Sequence, residues 1–253
     1  MIKREKGIEY EVIKAKKDSN INLVFIHGTG CNKKFLKSLA LMFNEYNCYL
    51  IDLPGHGNSD STGYEFDNYV KAISSIVKKL HNVVLIGHSL GGTLVLKTAS
   101  LHLKSVVGIV PLNSSASWYD LDKELTKKVH NGIIDLEYLM AASGDTDNED
   151  VISALKTMEP NGVNIADFLI DEYINIESCL DKINVPTLII SGEDEILAIP
   201  EYSKRLNERI KNSEIVMIPG RHMSCLARKD SVKEIVCKFI DEKILMKKVP
   251  QLV

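Results

Sequence analysis

The chain is expected to fold as an α/β domain, a mostly parallel sheet flanked by helices and interrupted by a helical insertion. Three observations predict this. Short apolar runs of strand length alternate with stripes at helical spacing. The alternation stops over residues 113–178 and then resumes. A G-x-S-x-G pentapeptide, Gly87 to Gly91, stands where an apolar run meets a helical stripe.

Taken in order, Ile8 to Ile13 and Asn22 to His27 read as strands, the second almost continuously apolar, as a strand buried on both faces must be. Phe35, Leu36, Leu39 and Phe43 recur at helical spacing. Cys48 to Asp52 is the next strand, closed by Pro54-Gly55-His56-Gly57. A stripe from Phe66 to Leu80 follows the 3.6-residue period. Val83 to Ile86 is another buried strand, Leu90 to Leu103 a helix, and Ser105 to Val110 a strand ending at Pro111. Shorter helical patterns then fall around Asp122 to Val129, Leu136 to Ala141, Val151 to Met158 and Ile165 to Tyr173, which suits a helical cap. Strand Pro186 to Ser191, helix Pro200 to Ile210, strand Glu214 to Ile218 and a closing helix from Val232 to about Leu245 complete the pattern.

The 253 residues suit one domain with one insertion: a core over 1–112 and 179–253, and a cap or lid over 113–178. Apolar residues make up 45% and charged residues 26%, which excludes a largely disordered chain. The net charge is −3 and the cations are dispersed, so nucleic acid is not an expected partner. The basic N-terminus precedes no long apolar run, and no segment has the length of a membrane span, so a cytoplasmic protein without membrane insertion is expected. The five cysteines are odd in number and lack C-x-x-C pairing, which indicates neither a disulfide framework nor a metal site.

The chemistry is carried by the strand-to-helix boundary. A strand that turns abruptly into a helix holds the Ser89 hydroxyl out at the carboxyl end of the sheet, and Gly87 and Gly91 leave room for so tight a turn. A serine hydroxyl is a weak nucleophile that needs a base for its proton and donors for the oxyanion. The Leu90 N–H, at a helix start where amides are unpaired, is one donor. His27-Gly28-Thr29-Gly30 forms the loop after the early strand, with Thr29 as the second candidate.

With these motifs the sequence resembles the α/β-hydrolase superfamily, in its serine esterase and lipase-like branch, over the whole chain except the cap. His27 to Gly30 resembles the oxyanion loop, Asp52 to Ser59 the loop after the fourth strand, and Gly87 to Gly92 the nucleophile elbow. The resemblance implies a triad in the order nucleophile, acid, histidine. His222, just past the strand Glu214 to Ile218, fits the histidine, although Arg221 replaces the small residue common before it. Glu195 occupies the acid position by ungapped spacing, whereas residue type favours Asp194. Either carboxylate could accept from the imidazole Nδ1–H. His27, His56 and His88 are read as loop supports.

The expected reaction is two-step hydrolysis of a small-molecule ester through an acyl-enzyme, without metal or organic cofactor. Serine at the elbow argues against branches that use a carboxylate nucleophile. A carbon–carbon bond hydrolase, an enol-lactonase, a thioesterase or an acyltransferase could use the same motifs, and a non-catalytic binding protein could keep the fold. Trp118, Tyr119, Tyr138, Met140 and Phe168 could line an acyl pocket or form the core of the cap. No motif sets oligomeric state or acyl chain length.

Overall fold

In a computed structural model describing residues 1–159 and 161–246, eight strands form one sheet. They are β1 (Ile2–Glu5), β2 (Ile8–Ile13), β3 (Asn22–Ile26), β4 (Asn47–Ile51), β5 (Val83–His88), β6 (Val106–Leu112), β7 (Thr187–Gly192) and β8 (Ser213–Ile218). Their order is β1-β2-β4-β3-β5-β6-β7-β8. β2 runs antiparallel to both β1 and β4, and every other pairing is parallel. The helices are α1 (Lys37–Ala40), α2 (Phe66–Val77), α3 (Leu90–Ala99), α4 (Lys123–His130), α5 (Leu136–Ser143), α6 (Glu149–Leu155), α7 (Asn161–Tyr173), α8 (Pro200–Arg209), α9 (Ser224–Ala227) and α10 (Lys229–Phe239).

Side chains alternate across a strand, and β3 shows what that does when both faces are covered. Val24 and Ile26 enter a core shared with Tyr69, Ile73 and Ile76 of α2 and Leu94 of α3. Leu23 and Phe25 enter a second core with Phe35, Leu39, Val232 and Val236. The sheet is therefore a central layer between two apolar layers. α3 is buried nearly all round because it lies against the sheet and also carries α2 on its outer side.

Several elements differ from the sequence reading. The stripe from Phe35 to Phe43 is helical only over Lys37–Ala40. Its flanks wind as i to i+3 turns, such as Phe35 N–H to Asn32 O and Phe43 N–H to Ala40 O, while all four apolar residues are buried; packing is satisfied without a regular helix. β6 runs through Pro111 to Leu112. The additional strand β1 is joined to β2 through Lys6 and Gly7, both at positive φ (47° and 83°), which is the backbone of a tight hairpin. The closing helix ends in a π-helical segment, Ile240–Leu245.

The segment between β6 and β7 holds α4 to α7. Its two ends meet: Ser117 and Asn175 form an antiparallel bridge, and Ile176 N–H donates to Ala116 O at 2.9 Å. No described helix is long and apolar enough to cross a membrane.

Candidate active site

Parallel register brings the carboxyl ends of β3 to β8 to one edge. His27 follows β3, Asp52 follows β4, Ser89 follows β5, Asn113 follows β6, Glu195 lies just past β7 and His222 just past β8. One topology thus gathers residues that are far apart in the chain.

Ser89 sits at φ 54°, ψ −123°, a conformation that costs a non-glycine residue about 1–3 kcal/mol. The surroundings hold it there. Ser89 N–H donates to Leu112 O at 3.0 Å, and Ser89 O accepts from Gly92 N–H at 2.9 Å and Ser114 Oγ at 2.7 Å. A Cβ on Gly87 would lie 2.2 Å from Gly91 O, and one on Gly91 would lie 2.4 Å from Ile26 O. A side chain at Gly87 would push the start of α3 off the end of β5, and one at Gly91 would force the elbow away from β3. Leu90 opens α3, so its N–H belongs to the first turn, where helix amides lack intrahelical acceptors.

His222 Nδ1 lies 2.8 Å from Glu195 Oε2. Asn113 Nδ2 donates to the same oxygen at 2.9 Å, and the Ile196 and Leu197 N–H groups donate to Oε1 at 3.0 and 2.9 Å. Burial drives the Glu195 carboxyl upward, but the His222 charge and hydrogen bond, together with the Leu197 and Asn113 donors, outweigh it and hold the value at about 2. Glu195 is buried, whereas Asp194 is exposed and only its backbone bonds to this loop, to Gly220 O at 3.1 Å. Of the two acids the sequence offered, Glu195 meets the histidine.

His88 Nε2 donates to His222 O at 2.8 Å, so the elbow and the histidine loop are tied directly. Burial, reinforced by the neighbouring His222, lowers His88 to about 3 and keeps its ring neutral. Arg221, the residue that departs from the family pattern, donates from Nη1 to Ala141 O at 2.7 Å. His222 N–H and Met223 N–H donate to Ala142 O and Ser143 O at 3.2 and 3.0 Å. The end of α5 is thereby fastened to the histidine loop.

The loop after β3 is fixed just as firmly. His27 Nε2 accepts from Leu53 N–H at 3.2 Å, which places the ring proton on Nδ1, 2.9 Å from Gly28 O. Burial and then His56 lower His27 to about 4. A Cβ on Gly28 would lie 3.2 Å from Ser89 Cβ, so the backbone of this loop lies against the serine. Gly30 N–H donates to Asp167 Oδ2 at 2.8 Å. Asp167 also takes His56 Nε2 at 2.9 Å and the Tyr69 hydroxyl at 2.7 Å. Thr29 Oγ1 shares a hydrogen bond of 2.5 Å with Asp171 Oδ2. Beneath, Lys33 Nζ bridges Glu9 and Asp52 at 2.7 and 2.6 Å, while Asn58 N–H donates to Asp52 Oδ2, joining this loop to the one after β4.

Ser89, His222, Gly28, Thr29 and His88 line one largely apolar cavity of about 70 Å³. The segment between β6 and β7 supplies Trp118, Leu121, Leu139, Leu155 and Phe168 to its wall. Trp118 and Phe168 are thus in the lining, whereas Tyr119 and Met140 are 61% and 44% exposed and Tyr138 packs with Leu125 and Val129. Cys31 also lines the cavity, but burial pushes its thiol up to about 12, the opposite of an activated thiolate. His81, His102 and His130 are exposed.

Asn113 and Asp171, like Asp167, are buried groups that the sequence reading did not single out. Asn113 was read as the first residue of the insertion; its place at the carboxyl end of a strand is the signal that could have found it. Asp171 falls inside an amphipathic helix, and nothing local distinguishes it from a solvated acid.

A curated relative, pimeloyl-[acyl-carrier protein] methyl ester esterase of Wigglesworthia glossinidia brevipalpis, is 27% identical over 87% of this chain and 94% of its own. The crystal structure of a lipase-esterase related protein from Clostridium acetobutylicum superposes with a TM-score of 0.88 at 30% identity, covering 92% of this chain and all of the other. The enol-lactonase of Burkholderia xenovorans shares the fold alone, with a TM-score of 0.81 at 16% identity over 96% of this chain and all of its own. The model of the alpha/beta hydrolase family matches residues 23–233. That span runs from Leu23 in β3 through β8 and includes the loops carrying Ser89, Glu195 and His222, and the chain belongs to the alpha/beta hydrolase family.

Proposed function

We propose that the chain is a serine hydrolase that cleaves carboxylic esters through an acyl-enzyme, with Ser89 as nucleophile, His222 as general base and Glu195 as the acid. The observation that carries this reading is the convergence of a left-handed Ser89 and a carboxylate-bound His222 in one apolar cavity. Glu195 accepts from Nδ1–H, which leaves Nε2 as the basic nitrogen and favours the imidazolium formed during attack. His222 takes the hydroxyl proton as Ser89 Oγ bonds to the acyl carbon. The same proton passes to the departing alcohol, and water repeats the sequence to release the acid.

The N–H groups of Leu90 and Thr29 hold the oxyanion of each tetrahedral intermediate. Residues 113–178 act as the cap, and their apolar side chains bind the acyl group; an ester relative and an esterase-related structural neighbour support the choice of ester over other acyl substrates. Incubation with a fluorophosphonate followed by mass spectrometry tests the reading. A single adduct on Ser89, absent from Ser89→Ala, is expected. A folded chain that takes up no label and turns over no p-nitrophenyl ester would be a binding protein.

A further inference from the structure

The cavity lining includes a carboxyl group for which ester hydrolysis as described has no use. Asp171, on α7, lines the cavity beside Thr29 and is only 5% exposed. Its neighbour one helical turn back, Asp167, has both oxygens occupied by donors from Gly30, His56 and Tyr69. Asp171 has far less. Oδ2 meets Thr29 Oγ1 at 2.5 Å, and Oδ1 has no partner among the described residues. No described cation pairs with it.

A buried carboxylate with one bare oxygen and a second carboxylate close by is an unfavourable species, and the neutral acid relieves it. Burial raises the Asp171 carboxyl well above its ordinary range; the Thr29 hydrogen bond opposes this and the charge of Asp167 adds to it. The other groups at this point are uncharged or already engaged: Thr29 on the loop after β3, the Tyr69 phenol on α2 and His56 beyond it, both bonded to Asp167. A proton on Oδ1 would have no acceptor among the described residues, whereas one on Oδ2 has Thr29 Oγ1 at 2.5 Å, the short end of the O–H···O range.

We propose that Asp171 is a positioning residue of the oxyanion hole: its carboxyl O–H donates to Thr29 Oγ1, leaving the Thr29 hydroxyl hydrogen to point into the cavity as a third oxyanion donor. This rests on the ester-hydrolase reading above. The bookkeeping is complete within the pair. Asp171 supplies one hydrogen, Thr29 Oγ1 accepts it on a lone pair, and the hydrogen of Thr29 is freed for the developing alkoxide. If Asp171 ionises, the direction reverses: the carboxylate accepts from Thr29 and the third donor is withdrawn. Since the donor is needed only when charge develops on the attacked oxygen, its loss appears in kcat rather than KM.

The test is steady-state hydrolysis of p-nitrophenyl butyrate across pH by the full chain and its variants, each with a melting curve to establish folding. Thr29→Val and Asp171→Leu are each expected to lower kcat by about 10- to 100-fold, at or below the usual loss for an oxyanion donor, with KM little changed. Thr29→Ser, which keeps a hydroxyl, and Asp171→Asn, whose amide N–H replaces the carboxyl donor, should rescue most of kcat. The Thr29→Val, Asp171→Leu double variant should lose no more than either single one. The original chain should lose kcat on an alkaline limb that Asp171→Asn lacks. Asp171→Asn as impaired as Asp171→Leu, or Thr29→Val at full kcat, would overturn the proposal while leaving Ser89 labelling intact. Loss of labelling and turnover in the unaltered chain would instead strike the hydrolase reading beneath it.

Discussion

Glu195 Oε2 stands 2.8 Å from His222 Nδ1, and the same oxygen takes the Asn113 amide at 2.9 Å. The acid is therefore held from β6 as well as from its own loop, where the Ile196 and Leu197 N–H groups grip its other oxygen. A carboxylate with three protein donors beside the imidazole orients the ring and lowers the energy of its protonated form.

Glu195→Gln should lower kcat by about 10³-fold or more, because the amide favours the wrong imidazole tautomer. Asp194→Asn should stay within about twofold of the original, since that side chain is exposed. Steady-state turnover of p-nitrophenyl butyrate separates them; equal losses would mean that the pair seen here is not the working one.

Ser89→Ala and His222→Ala should each remove hydrolysis almost completely, by about 10⁴-fold or more, with cooperative unfolding preserved. Ser89→Gly should in addition raise the melting temperature, because glycine adopts φ 54° without the strain that serine bears. A melting temperature unchanged in Ser89→Gly would show that the elbow is not under strain.

Asn113→Ala should cost about 1–3 kcal/mol of stability, since one donor to a buried carboxylate is lost. It should also reduce kcat by roughly tenfold as the acid loosens, with binding of substrate nearly unaltered. Asn113→Asp, which sets a second carboxylate against Glu195, should be worse at neutral pH than Asn113→Ala.

Acid sensitivity follows from the sign of the Glu195 shift. Its folded value of about 2 lies below the ordinary 4.5, so its stabilising contribution is full above pH 4.5 and is lost as pH falls toward 2. Urea midpoints should drop over that window, and Glu195→Gln should show a smaller drop. Asp171 behaves in the opposite sense: its value is raised, so its contribution is present below the ordinary 3.8 and lost as pH rises through the folded value. Asp171→Asn should therefore gain stability relative to the original chain as pH rises above the ordinary 3.8.

The cavity of about 70 Å³ is walled by Leu139 and Phe168, which suits short acyl groups. Leu139→Ala should move the preferred p-nitrophenyl ester toward longer chains. A profile that stays fixed would place the acyl group elsewhere.

How much of this was legible in the chain differs from element to element. The buried strands and α2 were readable because a strand covered on both faces must be apolar throughout, and a helix with one covered face must repeat every 3.6 residues. The elbow was readable because Gly87, Ser89 and Gly91 lie within five positions, although the backbone that crowds Gly91 is that of Ile26 on β3. β1 was not readable, since its residues carry no alternating pattern and its place comes from a hairpin turn at Lys6 and Gly7.

The fold class, the serine at the strand-to-helix turn and the histidine after the last strand could be read from the chain, because each is written in short-range pattern and chain order. It took the folded chain to bring Glu195 rather than Asp194 to His222, to add Asn113 on the same carboxylate, and to set Asp171 against Thr29. The members of these pairs lie 27, 82 and 142 positions apart. Contacts of that range are made by parallel strand register and by the docking of α7, and no local periodicity encodes them.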